Sequence, residues 1–314
     1  MVGGGLEELV RALAGDGTVG SGWAVEQMPG GFNSLVYRCR GDAIAGPVAV
    51  KFSRRDGRHR TRREAAAQRI LADRAPGLAP CVLHVSEDGP QTAIVSTWLE
   101  GPAHGELPVD DDEWACLVDH LAAVHEVDAR RGGLLAPALD GNGSDAFAAT
   151  LRAESARSPD SADLALVDRA PCGLERAHLD PVAPRLVRSD PSLRNFIRRP
   201  HGWASVDWEN SGAGDPCFEI AELLCHPEYL DVGERRQTWI AEQYAARSPI
   251  PDAAIRILTY RPALLAWWVL RMQRLVREIA DGTDQRLTPW PDGFLEIKTA
   301  ELNRYRRLAH AAVS

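Results

Sequence analysis

The chain has 314 residues, 45% of them hydrophobic and 25% charged, with a formal net charge of −8. That length is generous for one core and comfortable for two lobes, no apolar run approaches the ~20 residues of a bilayer span, and no basic-then-apolar leader opens the chain. An acidic balance lacks the basic face that nucleic acid needs, and six cysteines (Cys39, Cys81, Cys116, Cys172, Cys217, Cys225) without a C-x-x-C pair exclude a zinc site or disulfide framework and suit a reducing cytoplasm.

In chain order, Leu6–Ala14 reads as a short amphipathic helix. Apolar β-rich segments follow at Trp23–Met28, Leu35–Cys39 and Pro47–Phe52, then a helix at Arg62–Ala72 and two more strands at Cys81–Val85 and Thr92–Leu99. The break at Glu100-Gly101-Pro102 marks a hinge. Beyond it Asp110–Val127 is helical and opens on four acids suited to the positive end of a helix dipole. Arg131–Ser144 reads as a loop, and short β pieces return at Arg185–Val187, Asn195–Arg198 and Ala204–Val206. From Phe218 the chain is mostly helical, with its strongest periodic run at Ala263–Ile279.

Two apparent motifs fail on context. Gly15–Gly20 spells G-x-G-x-x-G, but a helix precedes it and a strand follows, the reverse of a dinucleotide site. Asp140–Ser144 resembles the start of a calcium loop, yet Asp145 and Leu151 stand where Gly and a bidentate Glu are required.

Five pieces in order point to phosphoryl transfer. Gly30-Gly31-Phe32-Asn33-Ser34, between two strands, can bring backbone N–H groups to phosphate oxygens, with Ser34 or Asn33 as an added donor. Val48-Ala49-Val50-Lys51 is an apolar strand ending in an ammonium, like the strand lysine that contacts ATP phosphates in kinases. Among 36 basic residues only Lys51 and Lys298 are lysines, so a lysine here marks a place where arginine would not serve. Glu64 is placed to pair with Lys51 from the next helix, although Thr61-Arg-Arg-Glu64 also fits a capping box that would use the same carboxylate. Asp190-Pro-Ser-Leu-Arg-Asn195 has the Asp-to-Asn spacing of a kinase catalytic loop, and Ala204-Ser-Val-Asp207 delivers a carboxylate from an apolar strand.

With Val206-Asp207-Trp-Glu-Asn210 and Gly214-Asp215-Pro-Cys-Phe-Glu219-Ile-Ala221, the pattern resembles the aminoglycoside phosphotransferase and choline kinase-like superfamily over roughly residues 25 to 225. The resemblance implies an α+β, bilobal protein-kinase-like fold. Residues 1–100 would form a small antiparallel-sheet, nucleotide-binding lobe with a short N-terminal helix. Residues 101–314 would form a larger, mainly helical lobe with the catalytic loop and acceptor site. It also implies ATP (or GTP) and Mg2+ as cofactors, Asp190 as catalytic base, Asn195 and Asp207 as magnesium ligands, and Lys51, supported by Glu64, as phosphate ligand. The hinge around Trp98 and Leu99 would receive the adenine.

Asp215-Pro216 reads as a helix cap and first turn, and His125 as a core histidine. One departure stands out: Arg188-Ser189 replaces the usual His-Gly before the catalytic aspartate, which leaves a degenerate, inactive nucleotide-binding module as a rival. A protein kinase is disfavoured because only residues 209–214 separate Trp208 from Asp215. The acceptor is expected to be a small-molecule alcohol. Seven acids and no Lys or Arg in Glu209–Glu234, and nine acids in Glu100–Asp128, suggest a cationic, amine-bearing one, with Glu228 and Asp231 as contacts. A neutral sugar is the competing acceptor.

Overall fold

The computed structural model describes residues 2–15, 20, 22–29, 33–42, 44–88, 91–103, 105–131, 133–157, 163–199, 202–283 and 286–313. Helix α1 (Val2–Ala14) leads into strands β1 (Trp23–Gln27), β2 (Ser34–Gly41) and β3 (Val48–Arg54), then α2 (Arg60–Arg74), β4 (Val82–Ser86) and β5 (Gln91–Thr97). The five strands form one sheet in the order β1-β2-β3-β5-β4, every pairing antiparallel. Strand periodicity gives the sheet two faces. Val48, Val50, Phe52, Ala93 and Val95 face Leu6, Leu9 and Val10 of α1 in one small core. The opposite face carries Lys51 and Ser96 toward α2, where Ser96 Oγ donates to Gln68 at 2.8 Å.

The segment after Thr97 turns at Gly101, whose φ of 139° lies outside the range L side chains favour; a Cβ there would strike the Arg198 carbonyl. Elements α3 (Asp111–His125), α4 (Ser144–Ser155), α5 (Leu164–Ala177), β6 (Arg185–Val187), β7 (Phe196–Arg199), β8 (Gly202–Ser205) and β9 (Gly212–Gly214) follow. They are succeeded by α6 (Pro216–Cys225), α7 (Glu234–Ala245), α8 (Ala253–Ala280) and α9 (Phe294–Val313). β6 pairs with β9 and β7 with β8 as two antiparallel ribbons. Asp110 caps α3 by accepting from the Glu113 N–H at 2.9 Å, and Asp215 caps α6 by accepting from Cys217, as expected of both. Helix α8 extends through Pro262, one turn and more before the periodic run visible in sequence. Burial of Arg256, Ile257 and Tyr260 along its first turns offsets the bond that proline cannot make.

Every residue of α6 is buried, and α6, α8 and α9 form the main core of this half. A third cluster joins the halves: Ala67 and Leu71 of α2 pack with Val124, Val127, Leu186 and Trp208. Fold and class are therefore those of a bilobal, protein-kinase-like α+β protein. Among the described residues no helix is long and apolar enough to cross a membrane.

Candidate active site

Lys51 sits where the three parts meet. Its Nζ contacts Glu64 Oε2 at 2.8 Å, Glu209 Oε2 at 3.1 Å, and Asp207 Oδ1. Burial alone would lower the lysine pKa, but the charges of Asp207, Glu209 and Glu64 outweigh it and hold Lys51 well above its ordinary value. The same lysine pulls Asp207 below the usual carboxylate range against burial, while burial leaves Glu64 raised. Glu64 is oriented by Gln68 Nε2 at 3.2 Å, and Glu209 is shared with the Arg60 guanidinium. The capping box does not form: the cap position of α2 is His59, without a side-chain bond, and Thr61 Oγ1 meets Thr92 Oγ1 at 2.6 Å.

The segment from β6 to β7 carries Asp190. Ser189 (φ 48°), Asp190 (φ 67°) and, after β8, Asp207 (φ 61°) are all left-handed, a region that costs non-glycine residues roughly 1–2 kcal/mol each. Two buried groups hold them there. Glu219 of α6 accepts from the backbone N–H groups of Arg188 (3.1 Å) and Ser189 (3.0 Å), with His125 Nε2 2.7 Å from its other side. The Arg188 side chain, fully buried, donates to the carbonyls of Asp190 at 2.7 Å and Val206 at 3.0 Å. The guanidinium that stands in place of the usual histidine thus bonds behind the loop to carbonyls, and it lies 4.9 Å from the centre of the Phe196 ring.

The Asp190 carboxylate, 38% exposed, faces the cleft with Asn210 Nδ2 at 3.5 Å and His226 Nε2 at 3.8 Å. Burial, reinforced by the Asp207 charge and opposed by Arg188, pushes it up to about 7. Burial takes His226 down to about 3, so that ring is neutral. Glu222 lies behind, accepting from the Asp190 N–H at 3.4 Å, and burial with Glu219 and Asp190 nearby raises it to about 8.

The residues fit a magnesium ion. Lys51 takes one oxygen of Asp207, leaving the second, and Asn195 Nδ2 points to the Asp190 carbonyl at 3.4 Å, turning its amide oxygen the other way. Two hard oxygen donors of this kind suit Mg2+. The carboxylates of Glu64, Asp207 and Glu209 also lie within 4.8 Å of one another, but the Lys51 ammonium touches all three and already supplies the cation there.

A cleft of about 1480 Å3 brings Ser34, Lys51, Trp98, Asp190, Asn195, Asp207 and Glu228 together. Gly30 and Gly31 lie outside the described residues. Trp98 lines the cleft with Arg38 4.8 Å above its ring and its N–H bonded to Pro47; Leu99 follows it. Asp231 is not brought to the cleft: it is 80% exposed and holds Arg304 at 2.6 Å. Glu228 lines the cleft but accepts from Ser192 Oγ at 3.0 Å and the Leu193 N–H at 2.5 Å.

The acid-rich stretches do not form the unneutralised field their composition suggests. Glu209, Asp215 and Asp231 are bound by Lys51 and Arg60, by Arg256, and by Arg304. Glu100, Asp111, Glu113 and Asp119 each hold an arginine from elsewhere in the chain, and Asp128 holds the neighbouring Arg130. Sequence reasoning also passed over Glu209, Asn210, Glu219, Glu222 and His226 as site residues. The available signal was Glu219 and Glu222 on a helix otherwise wholly apolar, since buried carboxylates demand partners.

The family model described as the phosphotransferase enzyme family matches residues 24–255. No curated protein matches the chain by sequence. Solved structures share its fold, among them the following three. A choline/ethanolamine kinase family protein from Mesorhizobium loti is 20% identical with TM-score 0.63, the match covering 98% of this chain and 99% of that one. Spectinomycin phosphotransferase, in complex with ADP and spectinomycin, is 12% identical with TM-score 0.60, covering 96% and 93%. The choline kinase of Streptococcus pneumoniae is 14% identical with TM-score 0.59, covering 92% of each. With the family match spanning most of its length and the Lys51, Asp190, Asn195 and Asp207 groups gathered in one cleft, the chain belongs to the phosphotransferase enzyme family.

Proposed function

We propose that this protein transfers the γ-phosphoryl group of ATP (or GTP) to the hydroxyl of a small molecule, with residues 1–100 as the nucleotide lobe and 101–314 as the acceptor lobe. The observation that carries the reading is Asp190, half-exposed in the cleft with its pKa raised to about 7. A carboxylate poised there can accept the hydroxyl proton as the alcohol oxygen bonds to phosphorus and the bond to the β-phosphate oxygen breaks. Lys51 would contact the α- and β-phosphates, leaving Glu64 and Glu209 to keep it charged. Magnesium, when bound at Asp207 and Asn195, would neutralise charge on the phosphates. The segment after Trp98 would receive the base.

The inactive-module reading requires a missing group, and Lys51, Asp190, Asn195 and Asp207 are all present in the cleft. An amine on the acceptor is a second reading, supported by Glu228 and the Trp268 ring lining the cleft. The test is coupled ADP release over a panel of amine-bearing, neutral and acidic small alcohols. Turnover that needs both magnesium and one class of alcohol supports the proposal; no acceptor-dependent ADP release with any of them opposes it.

A further inference from the structure

Beyond Arg60, on the side away from Lys51, the cleft opens into a cavity of about 340 Å3 walled by arginines from both lobes. The end of β3 contributes Arg54 and the loop after it Arg55 and Arg58; α8 contributes Arg271 and Arg274, and Arg286 follows. Only two acids, Asp56 and Glu278, share the lining. Some of the positive charge is compensated. Arg60 is held by Glu209 and Asp56, Arg274 by Glu154 at 2.8 Å, and Arg286 donates to Asn33 at 3.1 Å. Among the described residues, Arg58 and Arg271 have no carboxylate partner, and the buried Arg271 Nη1 has no hydrogen-bond partner.

A buried guanidinium nitrogen without an acceptor is costly, and bidentate geometry makes arginine the residue suited to carboxylate or phosphate oxygens. Burial, then the neighbouring Arg274 and Arg286 charges, bring Arg271 down to about 10, as expected for a crowded cation lacking its counterion. Of the groups assigned to the nucleotide phosphates and metal, Lys51, Asn195 and Asp207 do not line this cavity and only Asn33, from the glycine-rich segment, reaches its edge, so it adjoins that site without coinciding with it. It is nevertheless continuous with the catalytic cleft, sharing Asn33, Arg58, Arg60, Arg271, Arg274 and Arg286 with it.

We propose that Arg58 and Arg271, with Arg274 beside them, form a subsite for an acidic group, a carboxylate or phosphate, carried by the acceptor alcohol. The inference rests on the phosphotransferase reading and narrows it. The acceptor reaches from the Asp190 hydroxyl position toward α8, and its acid bridges arginines of the two lobes. Specificity then comes from that bridge: a neutral or purely cationic alcohol leaves Arg271 Nη1 unsatisfied.

The test has two arms. In the first, inorganic phosphate is titrated calorimetrically into protein saturated with ADP and magnesium. Phosphate should bind the wild type, and Arg271→Met and Arg58→Gln should each weaken it roughly tenfold while ADP affinity stays within about twofold. Arg58 is exposed, so its variant tests the site even if Arg271→Met fails to fold. Absence of phosphate binding, binding in both variants as tight as in the wild type, or competition between phosphate and ADP would overturn the subsite. In the second arm, kcat/KM is compared for glycerol, ethanolamine, glycerate and glycerol 3-phosphate. The acidic alcohols should be preferred, and Arg271→Met should raise their KM alone. Phosphate binding without that preference would assign the site to free phosphate and overturn the acceptor role. Failure of the phosphotransferase reading shows differently, as no ADP release with any alcohol while the phosphate titration still reports on the arginines.

Discussion

Arg188 donates from Nη1 to the Asp190 carbonyl at 2.7 Å, and its other terminal nitrogen reaches Val206 at 3.0 Å. One fully buried guanidinium thereby clips the loop that bears Asp190 to the strand end that bears Asp207. Both aspartates have left-handed backbones, as does Ser189, which stands where the family pattern carries glycine. The clip and the Glu219 carboxylate compensate a strain that glycine would avoid.

Arg188→Met keeps much of the volume and deletes the donors. Two carbonyls would lose a charged partner in the interior, so urea unfolding should show a loss of about 2–4 kcal/mol. Turnover should fall more than nucleotide affinity, because Asp190 and Asp207 would no longer be fixed relative to one another. An unfolding midpoint equal to the wild type would show that the clip contributes nothing.

Asp190→Asn should abolish most turnover and leave ADP binding nearly unchanged, since the amide matches the shape but cannot take a proton. The raised pKa sets the pH dependence. With the carboxyl pushed up to about 7, kcat/KM should climb as pH rises through that value. For stability the sign is opposite. The fold favours the protonated acid, so the contribution present at acid pH is lost as pH rises from the unfolded value toward 7. Asp190→Asn should therefore melt higher than wild type at pH 8 and alike near pH 4; solvent at this half-exposed carboxylate makes the effect modest. A flat kcat/KM profile between pH 6 and 8 would locate the base elsewhere.

Much of this was readable from local signals. The strand that carries Lys51 is an apolar run ending in an ammonium, the Asp190-to-Asn195 spacing is local, and Asp215-Pro216 announces the start of α6. What could not be read depends on contacts across the chain. β9 is Gly-Ala-Gly, with no strand preference of its own; it pairs with β6, and Leu135–Pro137 lie so close to Gly212 that a Cβ would have no room. Helices α4 and α5 are passed over in the sequence reading, and α5 runs unbroken through its internal Pro171. The fate of the acids was hidden for the same reason. Whether Asp231 faces a cleft or Arg304 is decided by a helix more than 70 residues away.

Asp207→Ala should remove the magnesium dependence of ADP binding and cut turnover by about 10²–10³-fold. The fold should survive, because Lys51 keeps Glu64 at 2.8 Å and Glu209 at 3.1 Å. Calorimetric titration of ADP with and without magnesium reads this directly. Near-normal turnover of the variant in magnesium would remove Asp207 from the metal site.

Glu222 gives the sharpest stability test. It is 5% exposed, one oxygen accepts only a long bond from the Asp190 N–H at 3.4 Å, and the other is buried with no partner among the described residues. Burial, then the charges of Glu219 and Asp190, push it up to about 8. In the unfolded chain the same group ionises near its ordinary value. Between those two values the folded state holds a proton that the unfolded state has released, so stability declines as pH rises across the window. Each unit of displacement corresponds to about 1.4 kcal/mol, and at pH 8 the deficit is on the order of 2–4 kcal/mol relative to pH 5. Glu222→Gln keeps the shape and an acceptor for the Asp190 N–H while removing the ionisation. Urea unfolding should find the variant more stable than wild type by that order at pH 8, with the gap closing toward pH 5. Curves that stay parallel across the pH range would mean that Glu222 does not carry the displaced proton.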